Sequence, residues 1–279
     1  MKLKFTYYIN QLTRYINWAY FYHTWQVRDG SEASTSGESQ RQTLRHEAEM
    51  LLEEWNGEYH VHALFELIAA ASQGDDILLY DGTTVRRLPM LRQQRADSKH
   101  LCLADYVAPT SEYDYLEEYG HVGLFATSVD EGLERDFDAD PYKKMMAQVL
   151  ADRLAEAAAE KLHKDVRQHY WGYAGIERIT IEEMFAGHYQ GIRPAVGYPS
   201  LPDTSLNFIL NEQLHFEEIG IHITESGAMK PHASVSGIML AHPDAHYFDV
   251  GRIGEDQLND YATRRNMPVE SVKRFLYKQ

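Results

Sequence analysis

The chain has 279 residues, 44% hydrophobic and 25% charged, enough to bury a sizeable core in one large domain or two small ones. Its 27 basic and 42 acidic residues leave a net charge of −15, which argues against non-specific binding to nucleic acid or to an anionic membrane. The lone cysteine, Cys102, excludes an internal disulfide and any multi-cysteine metal site. No apolar run reaches the length of a membrane span, and Met1-Lys2-Leu3-Lys4-Phe5 lacks the apolar stretch of a signal peptide, so a cytoplasmic protein is expected.

In chain order, residues 6–25 are dense in aromatics that should pack onto the body, and the polar stretch Asp29–Gln40 reads as a flexible surface loop. A helix follows over about Arg41–Trp55, with Leu44, Ala48, Leu51, Leu52 and Trp55 on one face. Short apolar runs between Gly and Asp turns then predict strands at His60–Ile68, Ile77–Tyr80, Thr84–Leu91, Leu101–Val107 and His121–Ser128. Asp140-Pro141 places an N-cap before a proline at the first helical position and opens a long helix to about His169. Beyond Gly191, Ser205–Leu214 reads as helix, and Ile219–Thr224, Ala233–Ala241 and Tyr247–Ile253 read as strands. Two short helices, one starting at Gly254-Glu255-Asp256 and one over Pro268–Leu276, close the chain. Strands clustered between helices, without regular alternation, predict an α+β fold: a mainly antiparallel twisted sheet flanked by helices, with one long central helix. With no repeat and no long Pro/Gly-rich linker, residues 1–279 are expected to form one domain.

The chemistry concentrates in Arg193-Pro194-Ala195-Val196-Gly197-Tyr198-Pro199 and in His242-Pro243-Asp244-Ala245-His246-Tyr247-Phe248. An arginine offers a planar fork of donors that matches a carboxylate. Glycine allows close backbone approach, and aromatic faces receive a flat ring or a positive centre. A carboxylate-bearing, flat-ringed, cationic ligand suits this set. The remaining signals are bland. His46-Glu47 lacks the second histidine of a zinc-protease helix, and His60 and His62 share a strand face without an evident third ligand, so no metal site is expected. Cys102 sits in an apolar run and reads as an inert buried thiol.

A family resemblance gathers on Tyr15-Ile16-Asn17-Trp18, Gly74-Asp75-Asp76-Ile77, Leu91-Arg92-Gln93-Gln94, Cys102-Leu103-Ala104-Asp105-Tyr106 and Ala151-Asp152-Arg153-Leu154-Ala155-Glu156-Ala157. It continues through Trp171-Gly172-Tyr173-Ala174, Tyr189-Gln190-Gly191-Ile192-Arg193-Pro194-Ala195, Thr224-Glu225-Ser226 and Asp260-Tyr261-Ala262. In number and order these words resemble the activation (reactivation) domain of cobalamin-dependent methionine synthase. The resemblance implies a domain that binds S-adenosylmethionine and docks over a cobalamin-binding module, in the same chain or another. There, one electron from flavodoxin or a flavoprotein reductase and one methyl group from S-adenosylmethionine restore oxidised cobalamin. In that scheme the protein supplies position rather than a general acid or base, so no catalytic residue is assigned to this chain.

The resemblance also implies site residues. Arg193 would clamp the ligand carboxylate; Ala195, Gly197 and Tyr198 would present backbone groups beside it, Gly197 otherwise serving only the turn. Tyr247 and Phe248 match a family pair of aromatics, and on a strand only one of them points into the site, with Tyr247 favoured. Glu156 lies on the long helix one turn from Asp152, on a face near the ligand. Two positions depart from the family. Asn17 stands where an aspartate meets the ligand ammonium, so binding should weaken by about 1 kcal/mol, the difference between a charged and a neutral acceptor; Asn17 also suits a helix terminus. Gly187 stands where a glutamate is common. Other readings remain open: an adaptor or non-catalytic binder of an adenosyl ligand, a reactivator of another corrinoid methyltransferase, and either a stand-alone protein, which Met1 and the Asp29–Gln40 loop favour, or part of a longer enzyme. Arg264, Arg265, Lys273 and Arg274 could form a basic patch for an acidic electron donor, or simply a solvated helix face.

Overall fold

A computed structural model describes residues 1–27, 35–95, 99–110 and 120–276, without the side chains of 35–39. The strands are β1 (Lys2–Tyr8), β2 (His60–Gln73), β3 (Asp76–Asp81), β4 (Thr84–Pro89), β5 (His121–Val129), β6 (His222–Ile223), β7 (Met229–Lys230) and β8 (Ser234–Met239). The α-helices of five or more residues are α1 (Trp18–Thr24), α2 (Thr35–Glu54), α3 (Pro141–Asp165), α4 (Ile181–Phe185), α5 (Leu206–Leu214), α6 (Glu255–Arg264) and α7 (Val269–Phe275). The main sheet runs β4-β3-β2-β5-β8, and every one of its pairings is antiparallel. β1 pairs with the first half of β2 on the edge whose second half takes β3.

Strand alternation divides the core between the two faces of this sheet. Val61, Ala63 and Phe65 of β2, Phe125 of β5 and Val235 and Met239 of β8 meet α2 and α3. Leu64 and Ile68, Val122, Leu124 and Ala126, and Ile238 turn the other way, onto α5 and the 3-10 turn Leu103–Tyr106. A third, smaller cluster seats α6 and α7 on Leu91 and Val250. α3 starts where its cap predicts: the Asp140 carboxylate accepts from the N–H groups of Tyr142 (3.0 Å) and Lys143 (3.1 Å), with Pro141 in the first turn. Its buried alanines, including Ala151, Ala155 and Ala158, let the helix lie close on the sheet, and the Thr127 hydroxyl of β5 donates to the Ala155 carbonyl at 3.0 Å.

Several expectations change. β1 is a strand within what reads as a generally aromatic N-terminus. α2 begins at Thr35, so the latter part of the expected Asp29–Gln40 loop is helical, while residues 28–34 lie outside the described residues. Leu101–Val107 is no strand: the Asp105 carboxylate accepts from the Cys102 N–H at 2.9 Å and curls the run into a 3-10 turn. Of Ile219–Thr224 only His222–Ile223 is extended in a pair, because Phe216–Ile219 forms another 3-10 turn. Tyr247–Ile253 has no strand either and is a loop. α3 does not stop at Asp165 but passes into a single π-helical turn, Val166–Tyr170. Cys102 is fully buried, and burial pushes its thiol up to about 12. No described helix is long and apolar enough to cross a membrane.

Two of the recurring sequence words act as fasteners. Arg92 reaches Asp75 (2.7 Å) and Asp105 (2.7 Å), joining the β2–β3 turn to the 3-10 segment. Its neighbour Asp76 takes Arg264 of α6 and Arg87 of β4, both at 2.5 Å. The Arg92 backbone is held in addition by Gln257 of α6.

Candidate functional site

The segment 192–196 runs antiparallel along the free edge of β8. Ile192 and Leu240 exchange backbone hydrogen bonds at 2.9 Å, the Ile238 N–H donates to the Pro194 carbonyl (3.0 Å), and the Val196 N–H donates to the Ser236 carbonyl (2.9 Å). Gly191 and Gly237 make this approach possible. A Cβ on Gly191 would strike the Leu240 carbonyl oxygen, and one on Gly237 the Pro194 carbonyl oxygen. Arg193 is thereby delivered over the C-terminal half of α3, its guanidinium carbon 5.6 Å from the centre of the Phe125 ring.

Here Arg193 meets carboxylates before it meets anything else. Its Nη2 donates to Glu160 Oε2 at 3.0 Å, and its Nη1 lies 4.0 Å from Glu156 Oε2. Its side chain is 9% exposed. Burial by itself would lower the guanidinium pKa, but Glu160, Tyr247 and Glu156 outweigh it and hold the group further toward the charged form. Its Nε and the Glu160 Oε1 are buried without partners. The Arg193 backbone N–H donates to the Tyr247 hydroxyl at 2.9 Å. The next turn follows at once. Gly197, at φ +89°, sends its N–H to the Leu201 carbonyl (2.8 Å), and the Tyr198 hydroxyl donates to Glu156 Oε1 at 2.6 Å. Burial and the Glu156 charge push the Tyr198 phenol well up. The Val250 N–H donates to the Pro199 carbonyl at 3.0 Å and pins the loop that carries Tyr247 and Phe248.

These groups border a cleft of about 690 Å³, within the ordinary range for a small-molecule site. Of the expected residues, Arg193, Ala195, Tyr198, Tyr247, Phe248, Asn17 and Glu156 all line it. Gly197 shapes the turn without lining the cleft. Tyr247 and Phe248 both face it, because they lie on a loop and the strand rule of opposite faces does not apply. Asn17 does two things: it caps α1, its Oδ1 accepting from the Ala19 N–H at 3.2 Å, and it forms part of the wall. Gly187, just after α4, also lines the cleft. Asp152 does not line the cleft; it faces His232 at 3.6 Å.

The sequence reading misses Glu160, Arg153, Tyr20 and Tyr189, which also line the cleft. The signal for two of them was present. Arg153, Glu156, Glu160, His163 and Arg167 recur at steps of three and four residues, a polar stripe along one face of α3. Its outer end borders the cleft. At its inner end Arg167 is fully buried, reaches Glu177 at 2.7 Å and lies 4.1 Å from the centre of the Tyr189 ring. Of the four C-terminal cations that could have formed a basic patch or a solvated helix face, three are in ion pairs: Arg264 with Asp76 and Asp260, Arg265 with Asp203, and Lys273 with Glu270. Among the described residues no group of three His, Cys, Asp or Glu side chains is placed to hold a metal ion.

The molecule is thus an antiparallel α+β body with an arginine-centred, partly anionic cleft beside its last strand. The family model described as vitamin B12 dependent methionine synthase, activation domain, matches residues 8–266. A crystal structure of the MetH reactivation domain bound to AdoHcy (S-adenosylhomocysteine) is similar to this chain, with a TM-score of 0.90 and 36% sequence identity over 100% of this chain and 91% of that one. The chain belongs to the family of activation domains of vitamin B12-dependent methionine synthase. The family acts with the cobalamin module of that enzyme.

Proposed function

We propose that the cleft binds S-adenosylmethionine and that this chain, acting as one unit, presents the ligand to the cobalamin of a methionine synthase module during reductive remethylation. The observation that carries the reading is the half-satisfied Arg193 in the cleft wall, buried and with a free Nε, in a fold shared with a domain solved with AdoHcy bound. A ligand carboxylate in the cleft would give that buried guanidinium a further partner. S-adenosylmethionine supplies the transferable methyl group, and the nucleophile belongs to the other module.

This chain's part is to bind and orient. Arg193 takes the ligand carboxylate, its backbone fixed by the Tyr247 hydroxyl. The Asn17 oxygen faces the ligand ammonium as a neutral acceptor. The Ala195 backbone and the rings of Tyr198, Tyr247 and Phe248 border the remainder, and Glu156 holds Tyr198 in place. Gly197 gives the loop its turn. Holding the ligand in one pose removes orientational freedom before the methyl group meets its acceptor. The electron comes from flavodoxin or a flavoprotein reductase. The buried free thiol of Cys102 suits a reducing, cytoplasmic setting.

Calorimetric titration with S-adenosylmethionine tests the reading. Saturable binding that disappears in Arg193→Ala supports it, and an absence of heat at millimolar ligand with folded protein refutes it.

A further inference from the structure

Among the described residues, five charged side chains line the cleft: Arg153, Arg193, Glu156, Glu160 and Asp249. Three carboxylates thus stand against two guanidinia, and position 17 adds none because it is an asparagine. S-adenosylmethionine carries the opposite imbalance. Its carboxylate and ammonium cancel, and its sulfonium leaves one positive charge. Once the methyl group is transferred, the product is a neutral thioether with the same carboxylate, ammonium and adenosine. The two molecules therefore offer Arg193 the same carboxylate and differ, for the protein, in charge at sulfur.

The side chain best placed to register that difference is Glu160. It projects from α3 one turn beyond Glu156, and its side chain is 14% exposed. Only its Oε2 is engaged, by Arg193; its Oε1 is buried with no partner. Glu156 is committed differently: it accepts the Tyr198 hydroxyl and is more exposed, at 27%. Without Glu160, the buried Arg193 would face the cleft with its charge poorly balanced, Glu156 standing 4.0 Å away. In a low-dielectric wall that excess is felt along the short carbon chain that joins the ligand carboxylate to sulfur.

We propose that Glu160 sets the charge selectivity of the cleft, so that the sulfonium ligand is held in preference to its neutral thioether product. The proposal rests on the S-adenosylmethionine reading of the site and deepens it. It gives product release a physical cause, since transfer of the methyl group removes the charge that the wall was balanced to hold. It also assigns Glu160 two linked tasks, positioning the guanidinium of Arg193 and offsetting its charge.

The test is a three-ligand calorimetric series on the full chain, using S-adenosylmethionine, S-adenosylhomocysteine and sinefungin, in which carbon replaces sulfur and an ammonium group stands where the methyl group was. The wild-type protein should bind both cations more tightly than the thioether. Glu160→Gln keeps the shape and removes the charge. It should move the ratio of sulfonium to thioether affinity by about tenfold toward the thioether, as expected for one charge at close range in a partly buried site. Glu160→Asp keeps the charge and should keep the ranking, and it carries the test if the amide variant does not fold. A merely structural role for Glu160 predicts something else: a misplaced Arg193 weakens all three ligands alike, since all carry the same carboxylate. Equal loss for the three ligands, equal wild-type affinity for sulfonium and thioether, or a ranking lost in Glu160→Asp overturns the proposal. A wild-type protein that binds none of the three fails the functional reading itself, a distinct result.

Discussion

Gly237 offers the sharpest way to disturb the site without substituting a residue that lines it. It sits in β8 opposite Phe125, and the segment carrying Arg193 crosses directly over it at Ala195. In Gly237→Ala the new Cβ would overlap the Pro194 carbonyl oxygen and lie 2.9 Å from both the Ala195 Cα and the Phe125 Cε1. Non-bonded carbons settle near about 3.5 Å or beyond, so the segment must retreat by roughly 1 Å. The Pro194 carbonyl cannot yield freely, since it accepts the Ile238 N–H at 3.0 Å. Overpacking of this kind costs about 1–3 kcal/mol of stability. The retreat also lifts Arg193 from Glu160 and from the ligand carboxylate, and losing a hydrogen bond to a charged group costs about 1.5–3 kcal/mol, roughly ten- to a hundredfold in affinity. The expected result is a lower Tm together with an S-adenosylmethionine dissociation constant raised about ten- to a hundredfold, read by thermal melting and by calorimetry below the transition. Gly123→Ala is the control. Its Cβ would press on side-chain atoms, Phe65 Cε2 at 2.9 Å and Met239 Cβ at 3.0 Å, and should lower Tm while leaving affinity nearly intact. Unchanged affinity in Gly237→Ala, or an equal loss in Gly123→Ala, would refute the claim that this crossing positions the site.

Two further outcomes follow from the same geometry. Asn17→Asp restores a charged acceptor and should tighten S-adenosylmethionine binding by up to about tenfold, with Tm unchanged because aspartate caps a helix as well as asparagine does; calorimetry showing no gain would remove Asn17 from the ammonium site. Burial, with Arg167 and Arg193 nearby, holds the His163 pKa well below its ordinary 6.5, so the folded protein keeps this ring neutral where the unfolded chain protonates it. That contribution is complete above pH 6.5 and is lost as pH falls below it, at up to about 1.4 kcal/mol per pH unit. Denaturant titrations of wild type and His163→Gln at several pH values below neutrality should show a shallower acid slope in the variant, and parallel slopes would contradict it.

The parts of the fold written in local chemistry were legible. Asp140-Pro141 announces α3 because a cap and a fixed proline φ act within one turn, and the apolar runs of β2, β3, β4 and β5 stand out between their turns. The errors came where a tertiary contact or a missing partner decides. Leu101–Val107 has strand composition, but Asp105 bonds back to Cys102 and curls it. Tyr247–Ile253 has strand composition and no strand to pair with; that error also produced the expectation that only one of Tyr247 and Phe248 could face the cleft. At the site, Arg193 and its turn were readable because an arginine beside Gly-Tyr-Pro is chemically pointed. Glu160 was legible only as one member of the polar stripe along α3, which does not say which of its members meets the cleft until the facing loop is known. The same holds for Arg92, which reads as one charged residue among many and proves to link two carboxylates from separate turns.

The cleft draws on residue 17, on 153–160, on 184–200 and on 247–249, stretches that lie far apart along the chain. During synthesis, Asn17 and α1 emerge long before the loop that closes over them, and β8 has to be in place before the Arg193 segment can be stitched to its edge. The pocket is complete only when residue 17 and the 247–249 loop have been brought to the same place as the middle stretches, a closure that costs chain entropy. Ligand competence thus arrives at the end of folding rather than accumulating through it. A bound adenosyl ligand would therefore report complete closure of the body, and saturating ligand should slow global unfolding rather than protect one local element.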